Sequence, residues 1–490
     1  MLQNTIKRLL SHSMIYSLTW VSGSAASILL LPVYTRYLTP SNYGILEILA
    51  YTNDIFRIIL ISGINIGLAR FYYGEKDEEA RKIVISTGTA FVVFSGLAGY
   101  GIGWSFNSEL ASLILGDSSY FNFITLSLTI LFADLVITIS QMYFVVSKRP
   151  VIFIIYSLGR LVIGICANLY FIVVLELGPV GMLYGNIVSC SIAAVVMTAH
   201  SLVINGIRIN TDLLKKMLKF GFPMIPAMLC ATAMHNADRF LIRGFATLAS
   251  VGIYSLGYKF PYMLNALILE SFNRAWAGST MYEIAGQADA KYQYARVASY
   301  FMMFYVFAQF CLSVFSISII KLFAAPDYFS AHQVIPLVAL GLSFHAFYTF
   351  FNMGAFLKDK TWLLNVAYAP AALVNIVGNI LLLPKYGFMA AAWMTVVTYF
   401  IFSLITYFSC KRTLSISFEF GRLSLLFAYA AGLYVLSSLI QYDSFIPEII
   451  KGICFVLLFI LAVVFGGCTS KNERKKGMDI LYGLLKSKKT

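Results

Sequence analysis

The sequence predicts an all-α membrane protein with about fourteen transmembrane helices. Its 490 residues contain apolar runs of roughly 20 residues or more, each long enough to cross a hydrocarbon layer of ~30 Å. Only 12% of the residues are charged, against roughly 25% in an ordinary globular domain. The charges are concentrated in the gaps between the runs. These observations exclude a soluble globular fold.

The predicted spans follow one another with short loops, and the longest outer gap, 106–121, is too short for a domain. The first run is longer than a signal-peptide core and lacks a clear cleavage site, so we expect it to be the first span. The fourteen runs are 13–35, 43–69, 83–105, 122–146, 151–174, 180–204, 217–242, 250–274, 297–320, 332–356, 362–383, 387–409, 423–440 and 446–466.

Basic residues predict the orientation. Of the 36 Lys and Arg residues, 27 lie in the N-terminal segment, in the C-terminal tail and in every second gap between successive predicted spans. By the positive-inside rule, this asymmetry places both termini in the cytoplasm and makes the number of spans even. The net charge of +14 is therefore mostly a topology signal, and we expect no nucleic-acid partner.

Several other function classes lack their sequence signatures. The seven cysteines are scattered and contain no CxxC pair, which is typical of small packing residues, so we expect neither a metal site nor a disulfide framework. No GxxxxGK[ST] loop is present, so ATP is not hydrolysed within this chain. We expect no cofactor and no catalytic residues.

The chain repeats itself at an offset of roughly 208 residues. LTPSNYGILEIL at 38–49 corresponds to ATLASVGIYSLG at 246–257, which aligns Gly44 with Gly252. Weaker matches follow in the same order. A duplicated unit of six spans has parallel topology, with the halves related by an axis along the membrane normal. We therefore predict a six-helix lobe at 1–205, a second at 206–410, and two extra helices with a basic tail at 411–490.

Ionisable side chains inside the predicted spans are costly in lipid and suggest function. Asp54 and Arg57 are three residues apart on one helix and can neutralise each other. Asp134 is alone in its span and can pair with Arg160. We treat Asp54, Asp134 and Asp238 as candidates for pairing or for binding a coupling ion.

The seventh predicted span carries a basic stripe. His235, Arg239 and Arg243 follow at intervals of four residues and share one helix face, and Asp238 can steady His235. Together with Arg36, Arg57, Arg160 and Lys259, they give the embedded charges a positive balance, which lipid would not tolerate. We therefore predict a hydrated cationic cavity for an anionic cargo, with guanidinium groups suited to phosphate.

Three tyrosines in the eighth predicted span, Tyr254, Tyr258 and Tyr262, are also spaced four apart. Such a stripe is common in helix packing. A flat ring with a hydroxyl also suits a sugar, so we consider these side chains candidate glycan contacts.

Five short motifs recur in one family of membrane proteins: Tyr37-Leu38-Thr39-Pro40, Tyr43-Gly44, Phe220-Gly221-Phe222-Pro223, Asp238-Arg239-Phe240-Leu241-Ile242 and Val251-Gly252-Ile253-Tyr254-Ser255-Leu256. Through them the chain resembles the Wzx-type O-antigen flippases of the multidrug/oligosaccharidyl-lipid/polysaccharide (MOP) exporter superfamily. The predicted number of spans and their division into two halves agree with this family over essentially the whole chain.

The resemblance implies a two-lobed flippase that moves undecaprenyl-diphosphate-linked oligosaccharide across the bacterial inner membrane. It also implies a polysaccharide polymerase and a chain-length regulator as partners. Arg36 and Arg239 match positions where the family keeps cavity charges, whereas Arg57, Arg160 and Lys259 are our extension. The densely charged first span of the lipid II flippases is not present.

Two alternatives differ in cargo or class. A cation-coupled multidrug exporter of the same superfamily predicts an acidic cavity. A membrane-embedded glycan polymerase or ligase predicts a large outer loop. The sequence also leaves open O-antigen against capsule, exopolysaccharide or teichuronic-type polymer, and coupling to H⁺, to Na⁺ or to no ion.

Overall fold

The computed structural model describes residues 22–475 apart from residues 24, 359, 361, 441, 443 and 471. These ranges are helical with short connections and contain no strand. The beginning of the predicted first span, 13–21, and the end of the basic tail lie outside the described residues.

We number the helices in chain order. They are α1 (Leu31–Tyr37), α2 (Pro40–Ile61), α3 (Ile64–Gly74), α4 (Glu78–Ser105), α5 (Asn107–Leu115), α6 (Phe121–Val146), α7 (Pro150–Leu169), α8 (Gly178–Asn205), α9 (Thr211–Gly221), α10 (Ile225–Phe245), α11 (Leu248–Asn265), α12 (Ser271–Ala275), α13 (Met281–Ala285), α14 (Ala290–Val314), α15 (Ser316–Phe323), α16 (Val334–Ala346), α17 (Tyr348–Phe351), α18 (Met353–Leu357), α19 (Trp362–Tyr386), α20 (Phe388–Lys411), α21 (Phe420–Leu439) and α22 (Phe445–Phe465).

Within the described ranges, eleven helical segments are long and apolar enough to cross a membrane, or twelve when the bent pair α2 and α3 counts as one span. The all-α membrane fold predicted from the sequence is confirmed, whereas the count of fourteen is not. The first predicted span begins outside the described residues. The eighth, 250–274, does not form a segment of this kind.

The eighth predicted span differs because its helix is interrupted. α11 contains Pro261 and passes into a π-helical turn at Ala266–Glu270, and a second π-helical turn follows at Trp276–Thr280. Each such turn holds one extra residue, which shifts the faces of the helix beyond it. The charges of Lys259, Glu270 and Arg274 also lower the apolar content below that of an ordinary span.

The second predicted span is bent by 44° between α2 and α3. The bend lies at Ser62 and Gly63, which both have positive φ angles, 51° and 69°. Gly63 also packs backbone to backbone on Gly221: a Cβ added at Gly63 would lie 2.4 Å from the Gly221 carbonyl oxygen. Glycine is therefore required at position 63 both for the turn and for the approach of α9.

The chain divides into two compact units. The first contains the described residues up to Leu256 together with Phe323–Tyr328 and Tyr368–Ala391, and in it α6 packs against α4 and α8, and α10 packs against α2. The second contains Gly257–Leu322, Phe329–Ala367 and the described residues from Ala392 onward. The lobe boundaries predicted from the sequence repeat stay a prediction.

A reciprocal backbone contact joins α2 and α11 in the first unit. A Cβ added to Gly44 would lie 2.0 Å from the carbonyl oxygen of Leu248, and one added to Gly252 would lie 2.0 Å from that of Pro40. Gly252 follows Gly44 by 208 residues, as Leu248 follows Pro40. An element contacting its own repeat copy through equivalent atoms is the signature of a twofold axis.

In a second pair of contacts, the corresponding residues are again about 208 positions apart in the sequence. The backbone N–H of Ala325 donates to the Thr35 hydroxyl over 3.1 Å. The guanidinium of Arg243, which lies 208 residues after Thr35, occupies the space beside Gly116, where φ is 82°. Ala325 in turn lies 209 residues after Gly116. The residues in these two contacts are thus related by nearly the offset of the sequence repeat, and the duplicated six-span unit stays a prediction.

The C-terminal helices α21 and α22 pack on α14 within the second unit. Phe310 of α14 stacks on Phe459 of α22, with ring centroids 4.5 Å apart. Near the start of α14, Arg296 pairs with Glu419 and Glu473, and Arg422 pairs with the same two carboxylates. This network of four charged side chains fixes the segment before α21 and the segment after α22 to α14.

We expect the Gly252→Ala substitution to destabilise the protein by about 1–3 kcal/mol, because the Pro40 carbonyl cannot move without separating α2 from α11. The measurement is the unfolding temperature in detergent. Gly101→Ala in α4 is the matched control, since an added Cβ there meets nothing within 4 Å. Equal unfolding temperatures for the two variants would contradict the close crossing.

The ion network predicts a pH dependence. Burial raises the pKa of Glu473, but the Ser470 backbone N–H, the Tyr300 hydroxyl and Arg422 outweigh it and lower that pKa to about 2. A carboxylate with a depressed folded pKa stabilises the folded state above its unfolded pKa, and this stabilisation is lost as the pH falls toward the folded pKa. We expect the unfolding temperature to fall between about pH 5 and about pH 3, and to fall less in Glu473→Gln.

Candidate functional site

The embedded carboxylates and guanidinium groups of the first unit form ion pairs. On α2, Arg57 Nη2 lies 2.6 Å from Asp54 Oδ1, three residues away on the same helix. The two side chains remain 40% and 38% exposed. The pair is therefore neutral overall but accessible, in a helix of 22 residues whose length matches a membrane span.

A second pair joins neighbouring helices. Arg160 of α7 lies 2.8 Å from Asp134 of α6, which is the pairing that the sequence suggested. The same Nη2 of Arg160 donates to the Cys190 sulfur of α8 over 3.1 Å. Side-chain exposure is 33% for Arg160 and 22% for Asp134. Three helices thus converge on one guanidinium that keeps an open side.

The third pair is enclosed. Arg239 and Asp238 of α10 are 2.7 Å apart, with side chains only 1% and 3% exposed. Arg239 also donates to the His235 carbonyl, and its guanidinium lies between the rings of Tyr51 and Tyr254, 4.9 and 5.0 Å from their centroids. The Tyr254 hydroxyl donates to the second oxygen of Asp238. The sequence suggested that Asp238 steadies His235, but in the structure Asp238 pairs with Arg239.

This enclosed cluster has a structural role that the sequence did not reveal. It fixes α10 to α2 through Tyr51 and to α11 through Tyr254. A buried charge is tolerated only when it is paired and hydrogen-bonded, and each group here is. Phosphate binding by Arg239 stays a prediction, and it requires the cluster to open.

The remaining predicted cations are placed separately. Arg36 is exposed at the end of α1 and forms no ion pair among the described residues. Lys259 is half-buried on the part of α11 that belongs to the second unit. Of the predicted cations in the first unit, Arg57 and Arg160 are therefore embedded and partly accessible, Arg239 is embedded and enclosed, and Arg36 is exposed.

The predicted tyrosine stripe is largely buried. Tyr254 is fully buried and serves the Asp238 cluster, and Tyr258 is 5% exposed with its hydroxyl 3.1 Å from that of Tyr399. Tyr262 is 44% exposed and packs beside Tyr258, with ring centroids 6.1 Å apart. Among the three, Tyr262 offers the most accessible ring. The role of all three as sugar contacts stays a prediction.

Glu47 of α2 is a further embedded charge that the sequence analysis missed. Its carboxylate accepts a hydrogen bond from the Tyr43 hydroxyl, and it lies one helical turn before Tyr51, which covers Arg239. A single acidic residue inside the apolar run GILEILAY was the available signal.

The described residues contain no group of three or more His, Cys, Asp or Glu side chains that could hold a metal ion. All seven cysteines are free thiols.

Comparison with known proteins gives a family and a fold. Residues 33–333 match the model of a family described as polysaccharide biosynthesis protein. A search of curated proteins found no significant sequence match.

The fold is similar to that of solved transporters. The inward closed conformation of the lipid II flippase MurJ has a TM-score of 0.73 at 14% identity, with 92% of this chain and 98% of that chain covered. An inward-facing multidrug resistance MATE transporter of the MOP superfamily has a TM-score of 0.63 at 12% identity, covering 81% and 94%. A MATE structure in the straight conformation has a TM-score of 0.56 at 14% identity, covering 83% and 96%.

We expect Arg239→Ala to lower the unfolding temperature strongly, because it leaves Asp238 as a buried charge without its partner, which typically costs about 3–5 kcal/mol. The double variant Asp238→Asn/Arg239→Gln removes both charges and should recover most of the loss. The measurement is thermal unfolding of the purified variants in detergent. A double variant as unstable as Arg239→Ala would show that the ion pair is not what stabilises this cluster.

Proposed function

Because the chain belongs to the polysaccharide biosynthesis protein family, we propose that it flips an undecaprenyl-diphosphate-linked oligosaccharide, an O-antigen or related repeat unit, across the bacterial cytoplasmic membrane. A membrane-spanning fold similar to those of a flippase and of MATE transporters supports transport rather than catalysis. The proposed topology keeps both termini in the cytoplasm. The product would pass to a polysaccharide polymerase and a chain-length regulator.

The observation that carries the proposal is the pair of partly exposed arginines, Arg57 and Arg160, within membrane-length helices. Lipid would penalise an exposed guanidinium in the hydrocarbon layer, so these side chains face water. Arg160 contacts both Asp134 and Cys190 through Nη2, and a diphosphate would bind the other N–H groups of its guanidinium. A diphosphate is the lipid-linked anion that a guanidinium fork binds best.

Ion pairing gives these arginines a resting partner. Without cargo, Asp54 and Asp134 neutralise Arg57 and Arg160 and hold them in place. An arriving diphosphate takes over the guanidinium groups, and the freed carboxylates can then accept H⁺ or Na⁺. The exchange keeps the site close to neutral, and it gives Asp54 and Asp134 the coupling role considered from the sequence.

The physical requirement for such a protein is clear. Burying an unpaired ion in hydrocarbon costs tens of kcal/mol in the ideal limit. A hydrated cavity shelters the diphosphate and glycan while the polyprenyl chain stays in lipid. Alternating access then carries the head group from one leaflet to the other. We place Arg36 among the side chains of the first unit that the head group meets, and we assign Arg239 and Tyr254 to holding α10 against α2 and α11.

The test is translocation in proteoliposomes that contain undecaprenyl-diphosphate-oligosaccharide, scored by a membrane-impermeant glycan-modifying reagent. We expect Arg160→Gln to reduce the rate at least tenfold, a loss of about 1.4 kcal/mol of binding to the transported state. Arg412→Gln, an exposed arginine beyond α20, is the matched control and should flip at the wild-type rate.

A paired variant separates ligand binding from structural pairing. Asp134→Asn/Arg160→Gln leaves no unpaired charge, so it should fold like the wild type and still fail to flip. Wild-type translocation by the double variant would refute diphosphate binding by Arg160. Protein-dependent export of a cationic drug, with no movement of the glycolipid, would establish the multidrug alternative instead.

A further inference from the structure

The short helix α9 joins the six-span regions that the sequence repeat predicts, and it has one firmly packed face. Met217 is fully buried, and its carbonyl oxygen lies 2.7 Å from where a Cβ at Gly67 would be. Gly221 packs on Gly63 at the bend between α2 and α3. The helix is therefore held against α3 with a defined orientation.

The opposite face of α9 is basic and exposed. Lys215, Lys216 and Lys219 are exposed, and Lys215 alone has an ion-pair partner among the described residues, Asp212 at 3.7 Å. The neighbouring cation Arg208 is already engaged by Glu79 at 2.6 Å. Three ammonium groups on one short helix thus have at most one carboxylate to neutralise them.

Large apolar side chains are exposed on both sides of these lysines. Ile207 and Ile209 before α9 are 76% and 60% exposed, and Phe222 directly after it is 63% exposed. Lysines beside exposed isoleucine and phenylalanine are the composition of a helix that lies in the interface of a lipid bilayer.

The length of α10 places α9 at that interface. The 21 residues of α10 extend about 32 Å at 1.5 Å per residue, which already spans a hydrocarbon layer of ~30 Å. A 3₁₀ turn at Phe222–Met224, with Pro223 within it and Pro226 shortly after it, lies between α9 and α10 in one continuous helical segment, Thr211–Phe245. The lysines of α9 are therefore left at the level of the phospholipid headgroups.

We propose that the basic face of α9 is a binding surface for anionic phospholipid headgroups of the adjacent leaflet, with the exposed apolar residues beside it inserted between the acyl chains. The surface is independent of the cargo site and of the proposed transport. Charge complementarity selects the lipid: each lysine near an anionic surface enriches anionic lipid by about fivefold.

The test uses the full chain with benzoylphenylalanine in place of Phe222, reconstituted in bilayers of equal parts phosphatidylglycerol and phosphatidylcholine. After illumination, the ratio of the two lipid adducts at position 222 is measured by mass spectrometry. We expect phosphatidylglycerol adducts to exceed phosphatidylcholine adducts by at least tenfold. Added inorganic phosphate should leave the ratio unchanged, since the surface binds a bilayer headgroup rather than a free anion.

The variant Lys215→Gln/Lys216→Gln/Lys219→Gln should bring the ratio to about one, because the attraction comes from these charges. Lys291→Gln/Lys358→Gln/Lys360→Gln removes the same number of charges from other exposed positions, and it should keep the wild-type ratio. Either an equal adduct ratio in the wild-type lysine background or a preference that survives the α9 variant would overturn the proposal.

Discussion

A helix that crosses hydrocarbon can carry a charged side chain only where another charge or water replaces the lost hydration, and this constraint organises the first unit. Three guanidinium groups satisfy this constraint by pairing with three carboxylates, at Asp54–Arg57, Asp134–Arg160 and Asp238–Arg239. The pairs differ in exposure. Where a pair is enclosed it fixes helices to one another, and at Asp54–Arg57 and Asp134–Arg160 the side chains stay partly accessible.

Pairing also changes how the predicted cationic cavity is understood. A count of embedded charges gives a positive balance, but the structure places a carboxylate within 3 Å of three of the arginines. For the flippase that we propose, selectivity for an anion depends on which partner an arginine holds, rather than on net charge.

The sequence predicted the helices well because membrane thickness sets the length of each apolar run. It also predicted the Asp134–Arg160 pair, since each charge is isolated in its own span. The eighth span was harder: a π-helical turn leaves no mark in an apolar run, so the extra residues after Asn265 could not be anticipated.

The burial of Arg239 could not be predicted from the sequence either. Spacing of four residues gives the face of a helix but not what covers it, and Tyr51 is distant in sequence. Glu47 was missed because one acidic residue changes the mean hydropathy of a long apolar run very little. Helix position thus follows from composition, whereas the partner of each embedded charge depends on tertiary packing.

The ion network around Arg296 has a consequence for how the chain is made. Its partners Glu419 and Glu473 follow it by 123 and 177 residues, so the ribosome releases them long after α14 has entered the membrane. Three further apolar segments are therefore made after α14 before Glu419 emerges, and five before Glu473 emerges. The network is completed only when Glu473 emerges, and a product that ends before Glu419 leaves Arg296 without either of its carboxylate partners.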